Sequence, residues 1–386
     1  MWGQWAFCST WRGMRNNMRV ILAAGGSGGH IFPCIALAEE LEKKGVEEVC
    51  CVASSRMLDR NILSATPYRC CFLSTNPMPR GCRPLRMTVF VIKFIYDILC
   101  SMAILLRSRP ACVVGFGGYS SGAMVSAARL FGIPVLIHEQ NHDPGRANRI
   151  LSRIADMVAV SFEGTKAFFG KCPGKVVHTG NPLRRDILSS ERKRAAHELG
   201  ISPDKMTVLV MGGSQGSSFL NDTVSRVADL INRKKKGAVQ FIHLTGKKDH
   251  ARVYEYYRSK AIPGKVCSFL DRIGDAYASS DLAVSRAGAA AVFELAYYAR
   301  PMILVPYPNP MNNQRSNARV FSAAGAALLR EEDHLTVEIL YKDMVSLIED
   351  SERRRSMAKA AESFRAGESG ELLAKQVLEL SGGASG

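Results

Sequence analysis

Absent patterns narrow the chemistry first. The 386 residues contain no Cys-x-x-Cys pair, and no cluster of His, Cys, Asp and Glu has metal-ligand spacing, which sets aside zinc ribbons, thioredoxin-like redox pairs and a resident metal. There is no Asp-x-Asp pair to bridge a metal to a nucleotide diphosphate. No lysine closes a glycine loop in the Walker manner. The dinucleotide fingerprint is incomplete as well: Ile31 stands where a third glycine should follow Gly26-x-Gly28. The second predicted strand ends Val52-Ala53-Ser54-Ser55, without an acid for a ribose. Cysteines number 11, ten of them within the first 172 residues, and the Cys50-Cys51 and Cys70-Cys71 doublets do not easily bridge locally, so reduced thiols in a cytosol are expected. Residues 1–17 hold three Trp and two Arg but no apolar core run, so they read as an extension or a misassigned start before Met18, not as a secretory signal. Low-complexity tracts and short-period repeats are absent.

Only one segment approaches membrane-spanning length, Met87 to Leu106, and Lys93 and Asp97 interrupt it. Lys93, Asp97 and Ser101 are spaced i, i+4, i+8 and form one polar stripe on an otherwise apolar helix. Three readings stay open: a buried crossover helix, a helix partly in contact with lipid, and a span. Arg80, Arg83 and Arg86 just before it are suited to lipid headgroups. The net charge of +16 is uneven, with 21 Lys and Arg against 11 Asp and Glu over residues 1–180 and 30 against 24 over the rest. A basic first half suits an anionic partner (phosphate, nucleic acid or acidic lipid) or is a solvated basic surface.

With 47% apolar and 22% charged residues, the length suits two soluble domains. Short apolar runs alternate with helical patterns throughout. Strands are predicted near 19–24, 49–53, 111–115, 135–138, 157–160 and 176–179, then near 207–211, 241–245, 266–269, 281–284 and 302–306. Such alternation predicts an α/β chain of two Rossmann-like, doubly wound domains facing across a cleft. Gly180-Asn181-Pro182-Leu183-Arg184 marks the boundary, giving units 18–180 and 181–386, with the last helix (Glu371 to Leu380) able to return to the first.

Two glycine loops, Gly25 to Gly29 with His30 behind, and Gly212 to Gly216, each follow an apolar strand and open a helix. That arrangement collects backbone N–H groups and the positive end of a helix dipole, which suits phosphate. A third loop, Gly115 to Gly122, repeats it. His30 at a helix mouth is a candidate proton acceptor or a structural histidine. His138-Glu139-Gln140-Asn141 is expected at the carboxyl end of a strand, and Arg184 at the hinge. In the second half, Arg286-Ala287-Gly288-Ala289-Ala290-Ala291 lets a helix start approach a phosphate. Glu294 lies one turn inside, where a carboxylate suits two ribose hydroxyls, and the amides of Asn313, Gln314 and Asn317 suit sugar hydroxyls.

In this order and spacing, over roughly residues 18–380, the segments resemble the MurG family. Those bacterial glycosyltransferases add N-acetylglucosamine to the undecaprenyl-linked muramyl-pentapeptide precursor of peptidoglycan. The resemblance implies a GT-B fold and an inverting, metal-independent transfer with no cofactor and no nucleic acid. It places UDP-N-acetylglucosamine on the second domain: ribose on Glu294, uracil on the Leu270 backbone, diphosphate along Ala289, Ala290 and Ala291 with Ser214 beside it, sugar on Gln314 and Asn317, and further donor contacts at Val292 and Phe293. Ser27, Gly28, Gly29, Asn141 and Arg184 complete that site. The acceptor's pyrophosphate falls to Gly26, Gly117, Gly118 and Tyr119, and the base to His30. Also implied are a peripheral place on the cytoplasmic face of the inner membrane, an anionic membrane surface as partner, and contacts with other cell-wall synthesis proteins. Ala287, Ala290 and Ala291 depart from bulkier or hydroxylated residues usual in the family, so at Ala291 backbone N–H groups replace a threonine hydroxyl. Asn313 stands where His or Gln is usual.

Overall fold

A computed structural model describes residues 18–74, 84–309, 313–365 and 367–382. The extension 1–17 and the arginines 80 and 83 lie outside these. The first sheet contains β1 (Arg19–Ala23), β2 (Glu48–Ser54), β3 (Arg69–Leu73), β4 (Cys112–Gly115), β5 (Val135–Glu139), β6 (Met157–Val160) and β7 (Lys175–His178). Its order is β3-β2-β1-β4-β5-β6-β7, and all its neighbours are parallel. The second contains β8 (Met206–Met211), β9 (Val239–Leu244), β10 (Gly264–Cys267), β11 (Leu282–Ser285), β12 (Met302–Leu304) and β13 (Ala327–Leu329), in the parallel order β10-β9-β8-β11-β12-β13.

The first half carries helices α1 (Gly28–Lys43), α2 (Met57–Ser64), α3 (Pro84–Ser108), α4 (Tyr119–Leu130) and α5 (Arg146–Leu151). After it come α6 (Arg185–Leu188), α7 (Arg192–Leu199), α8 (Ser218–Lys235), α9 (His250–Ser259), α10 (Ile273–Ser279) and α11 (Ala289–Tyr297). The chain closes with α12 (Gln314–Ala323), α13 (Val337–Glu349), α14 (Ser351–Glu362) and α15 (Ser369–Gly382).

Both faces of each sheet are covered, which is why its strands read as continuous apolar runs. Along β1, Val20 and Leu22 enter the core under α1, whereas Ile21 and Ala23 enter the core under α4. The same alternation divides β8 between two cores. Helix α15 returns to the first domain, burying Leu373, Ala374 and Val377 against α1. Phe162, from just beyond β6, crosses the other way and meets Phe293 in a tilted ring contact at 4.8 Å. Two strands escaped the sequence reading, β3 and β13, and each is the edge of its sheet. Arg69-Cys70-Cys71 and the three-residue β13 offer little apolar periodicity, and pairing with one neighbour is enough to define them.

Of the three readings open for helix α3, the fully buried crossover does not hold. Within Leu85–Ser108 the most apolar 18-residue window has a mean hydropathy of 2.2, yet only 17% of it is buried. The polar stripe turns inward. Asp97 and Ser101 are buried, and Asp97 Oδ1 accepts hydrogen bonds from Ser74 N–H and Oγ–H, both at 3.0 Å. Lys93 stays exposed. Leu105 packs inside fully, and Phe94 is partly buried near Gly122. Ile92, Ile95, Tyr96, Leu99 and Leu106 are more than half exposed.

Candidate active site

The loops after β1 and β4, and those after β8 and β11, flank the two points where strand order reverses. In open parallel sheets such points form a crevice at the carboxyl ends of the strands. The first crevice is closely built. Gly118 has φ +85°, and a Cβ there would meet Gly25 O at 2.4 Å, so the loops after β1 and β4 touch through glycine alone. Ser120 Oγ donates to Ala24 O at 2.9 Å. Tyr119 opens α4 and meets Phe90 of α3 edge-on at 6.0 Å. Ser27 is the N-cap of α1 without a side-chain cap bond, and with Gly28 and Gly29 it leads into that helix.

His30 Nδ1 lies 2.9 Å from Gly25 O. A carbonyl only accepts, so Nδ1 carries the proton and Nε2 keeps its lone pair. Nε2 borders Gly117, where a Cβ would sit 3.3 Å away. Gly26, expected on a pyrophosphate, donates its N–H to Asp59 Oδ2 at 2.9 Å, so a buried carboxylate from α2 holds this loop.

His138 and Glu139 act as scaffold. His138 is fully buried, donates from Nε2 to Gly180 O at 3.1 Å, and is pushed down to about 4 by burial. Glu139 accepts from Asn141 N, Asn141 Nδ2, Gly145 N and Asn148 Nδ2, fixing the loop after β5. Asn317, expected on the sugar, and Asn141, expected to complete the donor site, are joined to each other. Asn317 Nδ2 donates to Asn141 Oδ1 and Ala287 O, each at 3.1 Å, while its Oδ1 accepts from His142 N–H at 2.9 Å. Asn317 is fully buried with both donors engaged, so it clamps the two domains here.

On the second domain, α11 begins at Gly288 without a side-chain cap, leaving the first-turn N–H groups of Ala289, Ala290 and Ala291 facing outward from the helix end. Val292 and Phe293 are buried core side chains and can offer only backbone. Glu294 is 7% exposed, and its Oε2 accepts from Tyr277 Oη at 2.6 Å. Burial raises its pKa, against the opposing pull of the Tyr277 hydrogen bond and of Arg184. Arg184 stacks 4.4 Å over Phe32 and pairs with Asp186, and its buried Nε is without a hydrogen-bond partner. Leu270 lies half-buried between β10 and α10. Gly212, Gly216, Ser217, Ser218, Arg286, Tyr307 and Gln314 line a cavity of about 300 Å³ at the start of α8, with Gln314 Oε1 accepting from Tyr307 N–H at 3.0 Å. Ser214 is exposed on the same loop. Among the described residues, no group of three His, Cys, Asp or Glu side chains is placed to hold a metal ion.

Sequence reasoning missed Asp59, Tyr277 and Asn148. None sits in a glycine motif, and each arrives from a neighbouring helix. For Asp59 a faint signal existed: the acid absent from the end of β2 occurs five residues beyond Ser54.

Comparison with known proteins agrees with this geometry. Residues 20–160 match the glycosyltransferase family 28 N-terminal domain and residues 207–376 its C-terminal domain, so fold and site define a two-domain glycosyltransferase. A Myxococcus xanthus relative, named UDP-N-acetylglucosamine--N-acetylmuramyl-(pentapeptide) pyrophosphoryl-undecaprenol N-acetylglucosamine transferase, is 36% identical over 94% of this chain and 93% of its own. A Halothermothrix orenii protein of the same name is 35% identical over 89% and 94%. The crystal structure of Acinetobacter baumannii MurG superposes with a TM-score of 0.72 at 26% identity, covering 94% of this chain and 99% of that one. The chain belongs to this MurG family of N-acetylglucosaminyltransferases.

Proposed function

We propose that this enzyme transfers N-acetylglucosamine from UDP-N-acetylglucosamine to the 4-hydroxyl of the muramyl sugar of an undecaprenyl-pyrophosphoryl muramyl-pentapeptide, with inversion to a β-1,4 link. The observation that carries the reading is the full-length match to relatives of that name, together with glycine-loop helix starts facing each other across the cleft. The acceptor O–H breaks, its oxygen bonds to the anomeric carbon, and the bond to UDP breaks with its electron pair passing to the diphosphate. Nε2 of His30, held free by the Nδ1 bond, takes the proton. The N–H groups of Ala289, Ala290 and Ala291, with Arg184, stabilise charge on the leaving diphosphate. Glu294 binds the ribose, the Leu270 backbone the uracil, and Gln314 the sugar. Residues 18–180 form the acceptor-binding, membrane-associated unit and residues 181–386 the donor-binding unit.

A prenyl tail does not leave a bilayer readily, since each buried methylene is worth about 0.8 kcal/mol. The enzyme therefore comes to the cytoplasmic face of the membrane, resting the exposed side of α3 on it. The inward bonding of Asp97 favours a peripheral contact over a span. Incubation of labelled UDP-N-acetylglucosamine with the prenyl-linked muramyl-pentapeptide tests the reaction. The expected product is the lipid-linked disaccharide plus UDP. Epimerised nucleotide sugar, or label that never reaches lipid, would overturn the reading.

A further inference from the structure

The first glycine loop contains an arrangement that the transfer chemistry alone does not require. The Gly25 carbonyl and the Gly26 N–H belong to one peptide unit. Asp59 Oδ2 accepts from that N–H at 2.9 Å, and His30 Nδ1 donates to that carbonyl at 2.9 Å. Asp59 has 0% exposure, and its Oδ2 is also bonded by Ser54 Oγ. The other oxygen, Oδ1, is buried without a hydrogen-bond partner. The carboxylate, the peptide group and the imidazole are thus joined head to tail, from a buried Asp59 to a half-buried His30.

We propose that Asp59 is a positioning residue for His30, acting through the Gly25–Gly26 peptide. A carboxylate pulling on the N–H polarises the peptide and enriches its carbonyl oxygen, since hydrogen bonds in series strengthen one another. The richer oxygen holds Nδ1–H more firmly. That locks the tautomer with Nε2 unprotonated and stabilises the imidazolium formed when Nε2 takes a proton. It resembles a direct carboxylate–imidazole pair, with one peptide group interposed. Gly26 has φ +87° and Gly25 has Asp59 Oδ2 and Ser120 Oγ close to where a Cβ would stand, so the loop takes this shape only with glycine at both places. Nε2 lies beside Gly117 of the loop after β4, and Asn148 Oδ1 of α5 borders the same glycine. Glu139 stands behind Asn148, 2.8 Å from its Nδ2, and buried His138 lies behind Phe116. Asp59 is the charged group joined to the ring through hydrogen bonds alone.

The inference rests on His30 as the base, and its test separates the two. In Asp59→Asn the shape is kept and the charge removed. Nitrogen-15 spectra of the imidazole should show wild-type His30 as the Nδ1–H tautomer and a mixture with Nε2–H in the variant. The acid limb of the turnover profile should move to lower pH by about half a unit or more, because the imidazolium loses its partner charge. Turnover should fall about tenfold with the donor KM within twofold, and in a His30→Ala background the same change should alter turnover by less than twofold. An unchanged tautomer together with an unchanged profile would overturn the relay. Equal losses with and without His30 would also overturn it, assigning Asp59 to loop stability. If His30→Ala alone leaves turnover intact, the base assignment fails, while the spectra still decide whether Asp59 governs the ring. Should Asp59→Asn fail to fold, Ser54→Ala offers a second route: it strips Oδ2 of its other donor, and the Nδ1–H tautomer should persist at higher occupancy or unchanged. A shift toward Nε2–H would contradict the proposal.

Discussion

In the first domain the loop after β1 is tied to side chains: Asp59 takes the Gly26 N–H, His30 takes the Gly25 carbonyl, and Ser120 takes the Ala24 carbonyl. In the second domain the corresponding loop after β8 leans on backbone. A Cβ at Gly216 would meet Thr245 O at 2.0 Å, and one at Gly246 would meet Gln215 O at 2.4 Å. That leaves Ser214 exposed and a cavity at the start of α8. One glycine signature thus serves two ends. The first loop is a mount held by side chains, with His30 on it; the second is an open cradle bordering a cavity.

The buried histidines behind the two loops extend the comparison to stability. His138 of the first domain is pushed down to about 4 and His243 of the second to about 3, both by burial. Each stays neutral in the folded chain while the unfolded chain takes up a proton below the ordinary value near 6.5. Folding stability is therefore lost as pH falls, beginning near 6.5 and ending near 4 for His138 and near 3 for His243. The losses are on the order of 3 and 5 kcal/mol respectively. Urea midpoints measured from pH 7 to pH 4 should fall steadily, and a flat series would remove both histidines from the account.

His30→Ala should cut turnover by roughly 100-fold or more with donor binding nearly intact, as expected of a general base on the mount rather than the cradle. Turnover within a few fold of wild type would move the base elsewhere. On the cradle side, Glu294→Ala should raise the donor KM about tenfold, since a hydrogen bond to a charged group contributes about 1.5–3 kcal/mol. Because burial raises the Glu294 pKa, donor KM in the wild type should climb as pH falls, starting above the usual carboxylate range. Donor affinity that ignores both the mutation and pH would dissociate this carboxylate from the ribose.

The smallest effect expected concerns the exposed apolar side of α3 in the first domain. Ile92→Ser with Leu99→Ser should weaken binding to anionic vesicles several-fold and leave turnover of a short-chain soluble acceptor unchanged. Wild-type binding should prefer anionic over neutral vesicles and be partly released by salt, as basic residues near such a surface add about 1 kcal/mol each. Equal binding to neutral vesicles would take the basic residues out of the contact, and unchanged binding by the double variant would take α3 out of it.

The sequence alone carried the alternation of apolar strands and helices, the two-sheet architecture and the glycine loops at their crevices, because each is written in consecutive residues. It also carried Glu294 and His30, whose places follow from a count along one helix. Only tertiary structure decided what those loops are bonded to. Asp59 reaches Gly26 from another helix, 33 residues away, and Asn317 meets Asn141 across 176. Tyr277 likewise reaches Glu294 from a separate helix. The orientation of α3 was undecidable from its own pattern. A single polar stripe on an apolar helix faces water, or faces inward if the fold supplies partners, and the Ser74 bonds to Asp97 settle it inward. Local sequence fixes which groups a segment offers; contacts between distant segments fix which of those groups remain free to act.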